Sequence, residues 1–356
     1  MADIIKRNEC FAATNGFDGF KSFFHEIFDP ALFEAIYILK GGPGTGKSSI
    51  MRYIESSLSG MCENTTLVYC SSDTKSLDGV IIERGGKKIA VIDGTAPHMT
   101  DPKYPGAIEK IINLGDAWCD ATLKTHRDKI IRLSNLKQRA YNSAYKYLNI
   151  ARSIDENVKC ITERIFSKEC TDIISDVPLA TNKDGFTKTS RIIEAFGSGG
   201  FYRLKPPECQ KTLYVVGVYG TERLFYKHIL ASLEEKRASY ERYPSVLNTD
   251  DSMGVMLADS KTLLINLNGS PVDESKIIDT SRFLNQSELA KEKNRLEFLW
   301  REREIMLWNS VSEFKTATNY HFELEKIYTA TMNFAKIDKI KEKLLTNIKK
   351  TLNIKD

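Results

Sequence analysis

Residues 41–48, GGPGTGKS, match the pattern G-x-x-x-x-G-K-[ST] at every fixed position. Glycines let backbone N–H groups converge on phosphate oxygens without a Cβ clash, and a following helix adds the positive end of its dipole. In such a loop Lys47, a candidate catalytic residue, reaches the β- and γ-phosphates, and the Ser48 hydroxyl suits Mg²⁺. The segment therefore predicts a phosphate-binding loop for ATP and Mg²⁺. The residues expected at the nucleotide are Gly42, Pro43, Gly44, Thr45, Gly46, Lys47, Ser48 and Ser49.

A loop of this kind needs a buried strand before it and a helix after it, and both patterns are present. Residues 35–39 are apolar and β-prone, as expected of a buried parallel strand. Residues 49–54 carry apolar side chains at the spacing of a helix that packs back on that strand. The order of strand, loop and helix favours nucleotide binding over a glycine-rich turn that binds nothing.

Asp93 is the candidate second metal ligand and a further candidate catalytic residue. It ends the apolar run 88–93, and ligands of open α/β sheets bind outside the carboxyl ends of the strands. We therefore expect Ser48 and Asp93 to hold Mg²⁺. The alternative is that Asp93 opens a turn with Gly94, because Asp-Gly is a common turn pair.

Asp73 is the third candidate catalytic residue. It follows the β-branched and aromatic run 65–70, so its side chain is expected at the same edge of the sheet. There it would position the attacking water or bind a substrate; alternatively, it caps the segment 76–79.

No general base stands out in the sequence. Gly94 follows Asp93, where many NTPases carry a glutamate that activates water. Thr95, His98 and Asp101 come soon after and are within reach of a γ-phosphate, but a histidine in a loop is also an ordinary structural residue.

The second half of the chain repeats patterns of the first at a nearly constant offset. Residues 213–220, LYVVGVYG, align with the first strand and glycine loop at an offset of 176. The residues exchanged in this alignment are Glu222, Arg223 and Leu224 for Gly46, Lys47 and Ser48, and Asn268 for Asp93. Loss of the lysine, the hydroxyl and the carboxylate predicts a degenerate half that binds no Mg-nucleotide. Arg223 is expected to be a surface or salt-bridged residue or, alternatively, an arginine finger for the first site.

A long polar stretch with helical spacing follows each copy. Apolar residues across 130–165 keep an alternating three- and four-residue spacing, a heptad seam that only Lys137 interrupts. A charged segment covers 287–350 in the second half. We expect two helical hairpins that pack on their own domains or on each other, with a partner-binding arm as the alternative. The basic amphipathic stretch 336–350 is expected to be a solvated terminal helix.

The composition excludes several classes of protein. The chain has 356 residues, 42% hydrophobic and 28% charged, with 51 basic and 47 acidic residues and a net charge of +4. This balance makes nucleic acid an unlikely partner, and no run approaches the ~18 apolar residues of a membrane span. Residues 1–10 lack a signal-peptide core, so we expect a cytoplasmic protein. The seven cysteines include no C-x-x-C pair and are expected to be structural thiols.

These patterns predict an α/β fold of two tandem P-loop NTPase-like domains, an internal duplication in which each copy has a long α-helical hairpin insertion. The first domain is placed at residues 1–178 and the second at 187–356. The segment between them, 175–188, carries proline, glycine and polar residues.

Four segments also carry a resemblance to a known family. KGGPGTGKSS, YCSSDTKSLDGV, AVIDGTAPH and DPKYPG together resemble an uncharacterised bacterial family of tandem P-loop ATPases, over essentially the whole chain. The resemblance implies ATP binding and hydrolysis. In that family the second half often carries an intact P-loop of its own, from which this sequence departs.

The working hypothesis is a Mg²⁺-dependent ATPase with one competent site in the N-terminal half. Hydrolysis would move the two halves or the helical hairpins. One alternative is a small-molecule or nucleotide kinase, because GGPGTGK with a later Asp-Gly pair resembles the nucleoside monophosphate kinases. Another is a non-catalytic nucleotide sensor. The expected partners are a nucleotide and, through the hairpins, a protein.

Overall fold

The computed structural model describes residues 6–97, 99–174, 186–269 and 272–354. The strands are β1 Lys6–Phe11, β2 Ala13–Gly16, β3 Gly19–Ser22, β4 Ala35–Lys40, β5 Asn64–Tyr69, β6 Leu77–Arg84, β7 Lys87–Asp93, β8 Glu109–Asn113, β9 Lys188–Ser190, β10 Glu194–Gly197, β11 Gly200–Arg203, β12 Lys211–Val216, β13 Tyr240–Pro244, β14 Ser252–Leu257, β15 Thr262–Asn266 and β16 Ile277–Asp279. The helices are α1 Phe24–Ile27, α2 Lys47–Ser57, α3 Asp120–Thr125, α4 Arg127–Ile165, α5 Thr221–Glu235, α6 Gln286–Thr329 and α7 Phe334–Thr351, and a 3-10 helix spans Lys168–Ile174.

Each half contains one six-stranded mixed sheet, and the two sheets have the same strand order. The order is β1-β5-β6-β7-β4-β8 in the first half and β9-β13-β14-β15-β12-β16 in the second. In both, the strand before the glycine-rich segment lies between two parallel neighbours. The third strand of each order, β6 in the first half and β14 in the second, runs antiparallel to both of its neighbours. The prediction of an α/β fold is confirmed, with two mixed sheets whose strands follow the same order.

Strand β4 is buried on both faces, which is why its sequence is continuously apolar. Tyr37 and Leu39 face the core beneath α2, whereas Ile36 and Ile38 face the opposite core, which contains Phe24 of α1. The predicted buried strand and the predicted helix that packs back on it are therefore both present. Together they fix the position of the loop between them.

The long helices differ from the prediction, because each half contributes one continuous helix and not a hairpin. α4 extends over 39 residues and α6 over 44, and neither contains glycine or proline that would end it. The heptad seam of α4 finds its partner in α6 of the other half. The two helices run antiparallel, with Tyr141 against Phe314 and Arg164 hydrogen-bonded to Glu292.

The segments that follow the two long helices are exchanged between the halves. After α4, the 3-10 helix places Cys170 in the core of the second half, together with Phe225. After α6, helix α7 places Leu344 and Ile348 in the core of the first half. Each half therefore completes its core with residues that reach it from a helix of the other.

The C-terminal stretch 336–350 is thus a core helix of the first half, and the prediction that it is a solvated helix is wrong. Its apolar face is buried because it packs in the first core together with residues of α2 and β7. Packing crosses the division between 1–178 and 187–356 in both directions. Residues 175–185 of the expected linker lie outside the described residues.

All seven cysteines are unpaired, and Cys10, Cys62 and Cys170 are buried as packing residues. Burial raises the pKa of Cys10 to about 12, so that this thiol stays protonated at neutral pH. No helix within the described ranges is both long enough and apolar enough to cross a membrane.

Leu344→Ala is expected to destabilise the protein by ~2–5 kcal/mol, because it opens a cavity in the core that α7 shares with α2. Chemical denaturation measures the change. The exposed neighbour Lys343→Ala is the control and is expected to change stability by no more than ~0.5 kcal/mol. Equal, small effects of both substitutions would contradict the packing of α7 in this core.

Candidate functional site

The first glycine loop, residues 41–46, joins β4 to α2. Gly44 has φ +69° and Gly46 has φ +81°, a left-handed conformation that strongly favours glycine. The buried Thr45 donates from Oγ1 to the carbonyl of Gly42 at 2.9 Å and tightens the loop. The chain therefore enters α2 with the first N–H groups of the helix directed towards the loop.

The Lys47 side chain, at the start of α2, folds back over the loop. Its Nζ donates to the carbonyl oxygens of Gly41 at 2.7 Å and Gly42 at 3.0 Å, and lies 3.6 Å from Oδ2 of Asp93. The two charged side chains are only 13% and 16% exposed. This places a cation and a carboxylate together at the mouth of the loop.

Asp93 is brought to the loop by the parallel pairing of β7 with β4, in which it stands opposite Leu39. Its Oδ1 accepts from the backbone N–H of Thr95 at 2.8 Å and from the Thr95 hydroxyl at 2.6 Å. Burial raises the pKa of Asp93, while Lys47 and Thr95 act in the opposite direction. Asp93 therefore starts a turn, as one interpretation of the sequence predicted. Its side chain also faces the loop, as the other interpretation required.

Ser48 and Asp93 are the two side chains that the sequence predicts as ligands of Mg²⁺. The Ser48 Oγ accepts from the N–H of Leu77 at 3.0 Å and keeps a further lone pair. Thr95 bonds Oδ1 of Asp93, and Oδ2 lies 3.6 Å from Nζ of Lys47. No cluster of three or more His, Cys, Asp or Glu suitable for a metal occurs in the described ranges. Mg²⁺ commonly takes one or two protein oxygens and completes its shell with phosphate and water, so this pair fits it.

Asp73 lies at the same edge of the sheet but caps its own loop. Its Oδ1 accepts from the N–H of Lys75 at 3.2 Å and its Oδ2 from the Ser76 hydroxyl at 2.7 Å. The capping role predicted as the alternative is therefore present. Asp101 pairs with Lys40 at 3.2 Å, and His98 lies outside the described residues.

The buried Asp78 of β6 is a residue that the sequence analysis missed. It lies close enough to Asp93 to raise the pKa of that carboxyl. Only the antiparallel pairing of β6 with β7 brings the two together, and no local motif marks it.

The end of α6 covers the first glycine loop, which no sequence pattern predicted. A Cβ atom on Gly44 would lie 2.2 Å from Oγ1 of Thr329 and 3.1 Å from Cγ of Glu325. A Cβ atom on Gly42 would lie 3.3 Å from the Trp118 ring. Glycine is thus required at Gly44 both by its backbone angle and by the close approach of a helix.

Two further titratable side chains of the long helices face this edge of the sheet. Burial lowers the pKa of Lys137 on α4. Burial, and then the charges of Lys137 and Lys47, lower the pKa of His321 on α6, whereas Asp73 raises it. The surroundings of the site therefore include a lysine of α4 and an imidazole of α6 in addition to Lys47.

The second glycine loop, residues 217–220, is two residues shorter than the first. α5 begins at Thr221, so the constant-offset pairing of Arg223 with Lys47 is not kept. The Thr221 hydroxyl bonds the N–H of Val218 at 3.2 Å and the Thr280 hydroxyl at 2.8 Å, closing the loop on itself. Burial raises the pKa of Glu222, a carboxyl group where phosphate would need a donor.

Arg223 is held in a buried ion pair, as one of the two sequence interpretations expected. It bonds Asp155 of α4, whose other oxygen accepts from Nε of Arg303 of α6 at 2.7 Å. The Arg223, Asp155 and Arg303 side chains are 10%, 7% and 12% exposed. Arg223 therefore faces the helix pair and not the first site, which leaves no basis for an arginine finger.

Comparison of the chain with protein-family models, with curated proteins and with solved structures returned no match. The chemistry of the site therefore rests on its own residues: a glycine loop at a helix N-terminus, a lysine, a hydroxyl and a buried carboxylate.

Asp155→Ala is expected to cost ~3–5 kcal/mol of stability, because it leaves two buried arginines without their carboxylate. Glu156→Ala is the matched control, since Glu156 forms an exposed pair with Arg152 that contributes at most ~1 kcal/mol. Thermal and chemical unfolding of both variants give the comparison. A loss for Asp155→Ala no larger than that of the control would contradict the buried ion-pair network.

Proposed function

We propose that the first glycine loop binds ATP with Mg²⁺ and that the protein hydrolyses it at this single site. The observation that carries the proposal is the position of Lys47, whose ammonium lies between two loop carbonyls and Asp93. A lysine so placed exchanges these neutral carbonyl partners for the stronger charge-assisted bonds of a phosphate.

The residues around the loop have complementary tasks in this proposal. The backbone N–H groups of residues 42 and 44–49, at the N-terminus of α2, bind the phosphate oxygens. Lys47 neutralises charge on the β- and γ-phosphates, and Ser48 and Asp93 hold the metal. When bound by Ser48 and Asp93, Mg²⁺ would supply positive charge that stabilises the negative charge developing on the phosphates.

The second half is proposed to bind no nucleotide. Its loop is shorter, is closed by the Thr221–Thr280 hydroxyl pair and carries the Glu222 carboxyl in place of a donor. Its role is to deliver the end of α6 to the first glycine loop, where Glu325 and Thr329 approach Gly44. Contacts made and lost by a γ-phosphate would therefore reach both halves through α6.

A second candidate function is a nucleotide sensor that binds ATP without turnover. The observation that favours it is the engagement of Asp73 by Lys75 and Ser76, because the candidate carboxylate for positioning water is used to cap its own loop. Phosphate release from ATP without any added acceptor separates the two candidates, and release only with an acceptor would indicate a kinase.

Lys47→Ala is expected to weaken ATP binding by at least about tenfold and to abolish turnover, because the charge-assisted bonds to the phosphates are lost. Equilibrium binding and phosphate release measure the two effects. Lys75→Ala removes an exposed lysine of a nearby loop and is expected to alter neither. Unchanged binding in Lys47→Ala would contradict the proposed site.

Asp93→Asn is expected to remove the dependence of ATP affinity on Mg²⁺. The asparagine oxygen still accepts from Thr95, so the turn and the fold are kept, but the anionic metal ligand is lost. ATP binding is measured with Mg²⁺ and with a chelator, and unfolding curves monitor the fold. A magnesium dependence equal to that of the wild type would contradict the role of Asp93.

A further inference from the structure

Two pairs of titratable residues interrupt the apolar seam between α4 and α6. On α4 these are Lys137 and Asp155, and on α6 they are Arg303 and His321. The remaining seam positions are largely small or apolar: Ala140, Ala144, Leu148, Ala151 and Val158 on α4, and Leu307, Ser310, Phe314, Ala317 and Leu324 on α6. Polar residues at such positions carry a cost in stability, which calls for a specific reason.

The pairs occupy equivalent positions in the two halves. Isolated bridges join Trp118 to Met332 and Phe166 to Leu284 at the two ends of the helix pair. Lys137 lies 19 residues after Trp118, and Arg303 lies 19 residues after Leu284. Likewise, 11 residues separate Asp155 from Phe166, and 11 separate His321 from Met332. Lys137 with His321 is therefore the counterpart of Arg303 with Asp155.

In the second half, the carboxylate of Asp155 joins two arginines. Asp155 accepts from Arg303 of the seam and from Arg223 in the first turn of α5, beside the second glycine loop. One anionic group thus links the loop helix to the long helices. The charges of the three buried side chains sum to one positive charge.

In the first half, the same position holds His321, and the anionic group is missing. His321 lies within electrostatic range of Lys137 and of Lys47 in the first turn of α2. Asp73 is the carboxylate that raises the pKa of His321, and it is bonded to Lys75 and Ser76. Burial lowers the pKa of Lys137 beside His321.

The place of this pair relative to the loop follows from α6. His321 precedes Glu325 by four residues and therefore lies on the same face of the helix. Glu325 contacts Gly44 of the first glycine loop. His321 thus lies one helical turn further from the loop than Glu325, and Lys137 of α4 is within electrostatic range of it.

We propose that Lys137 and His321 form a binding site for the terminal phosphate of ATP, in the place that the Asp155 carboxylate fills in the other half. This inference rests on the proposed function and assigns the γ-phosphate contact to the helix pair. The phosphate would join Lys47, Lys137 and His321 as Asp155 joins Arg223 and Arg303. The diphosphate product lacks this group and would leave the pair unbridged.

Recognition by His321 makes triphosphate binding depend on pH. In the free protein, burial, Lys137 and Lys47 favour neutral imidazole, with Asp73 opposing them. A bound phosphate favours the imidazolium and raises the pKa of His321 in the complex. The gain in affinity is therefore complete below the pKa of the free protein and is lost as pH rises through the pKa of the complex.

The test compares Lys137→Met, His321→Asn and the wild type by titration with ATP, ADP and inorganic tripolyphosphate, each with Mg²⁺. Both substitutions are expected to weaken ATP and tripolyphosphate binding by about tenfold and to leave ADP binding unchanged. His321→Asn is also expected to remove the decline of ATP affinity between mildly acidic and mildly alkaline pH. Lys146→Met, an exposed lysine on the same helix, is the control.

Lys137→Met also replaces a buried charge by an apolar side chain in the seam and is expected to unfold no earlier than the wild type. Loss of triphosphate selectivity in a variant of undiminished stability therefore reports recognition, not misfolding. Equal weakening of ATP and ADP, or no weakening of either, would overturn the inference alone. Absence of ATP and ADP binding in the wild type would overturn the proposed function and this inference with it.

Discussion

The antiparallel pairing of α4 with α6 is the interaction on which the rest of the structure depends. α4 leaves the first half and ends at the second, and α6 returns in the opposite direction, so that each half completes the core of the other. Alanines at 140, 144 and 151 on α4 let the helices approach closely along the seam. The two sheets cannot separate without exposing the residues that α7 and the 3-10 helix bury.

The two halves share one architecture, but the charged groups around their glycine loops differ. Around the second loop, Asp155 fixes Arg223 and Arg303 in a permanent arrangement, and such a buried network favours a specific geometry more than it adds stability. Around the first loop, the cations of Lys47 and Lys137 lie close to His321 at the corresponding place. We propose that this difference lets the first half bind the anionic group that the Asp155 carboxylate provides in the second.

The local parts of this account were predictable from sequence because local physics determines them. The order of strand, glycine loop and helix follows from an apolar run, a demand for positive φ at Gly44 and Gly46, and a helical spacing. The position of Asp93 follows from parallel pairing of neighbouring strands. The repeated order of strands was predictable from matching segments at a nearly constant offset. The shorter second loop, however, shifts the alignment of Arg223 with Lys47 that this offset gave.

The packing between distant segments was not predictable, because an apolar helix face is compatible with many packing partners. The seam of α4 is equally suited to a hairpin and to a helix of the other half, and only the absence of a turn within 127–165 argues against the former. The helical spacing of α7 likewise does not indicate in which core its apolar face is buried. The approach of Thr329 to Gly44 depends on that exchange and could not be read from either segment.

The central claim is that two copies of one fold carry a single nucleotide site. Its most direct test is the stoichiometry of ATP binding to the full-length protein in the presence of Mg²⁺, measured by titration calorimetry. The account predicts one ATP per chain. Two ATP molecules per chain would contradict the degeneracy of the second loop, and no binding at all would contradict the assignment of the first.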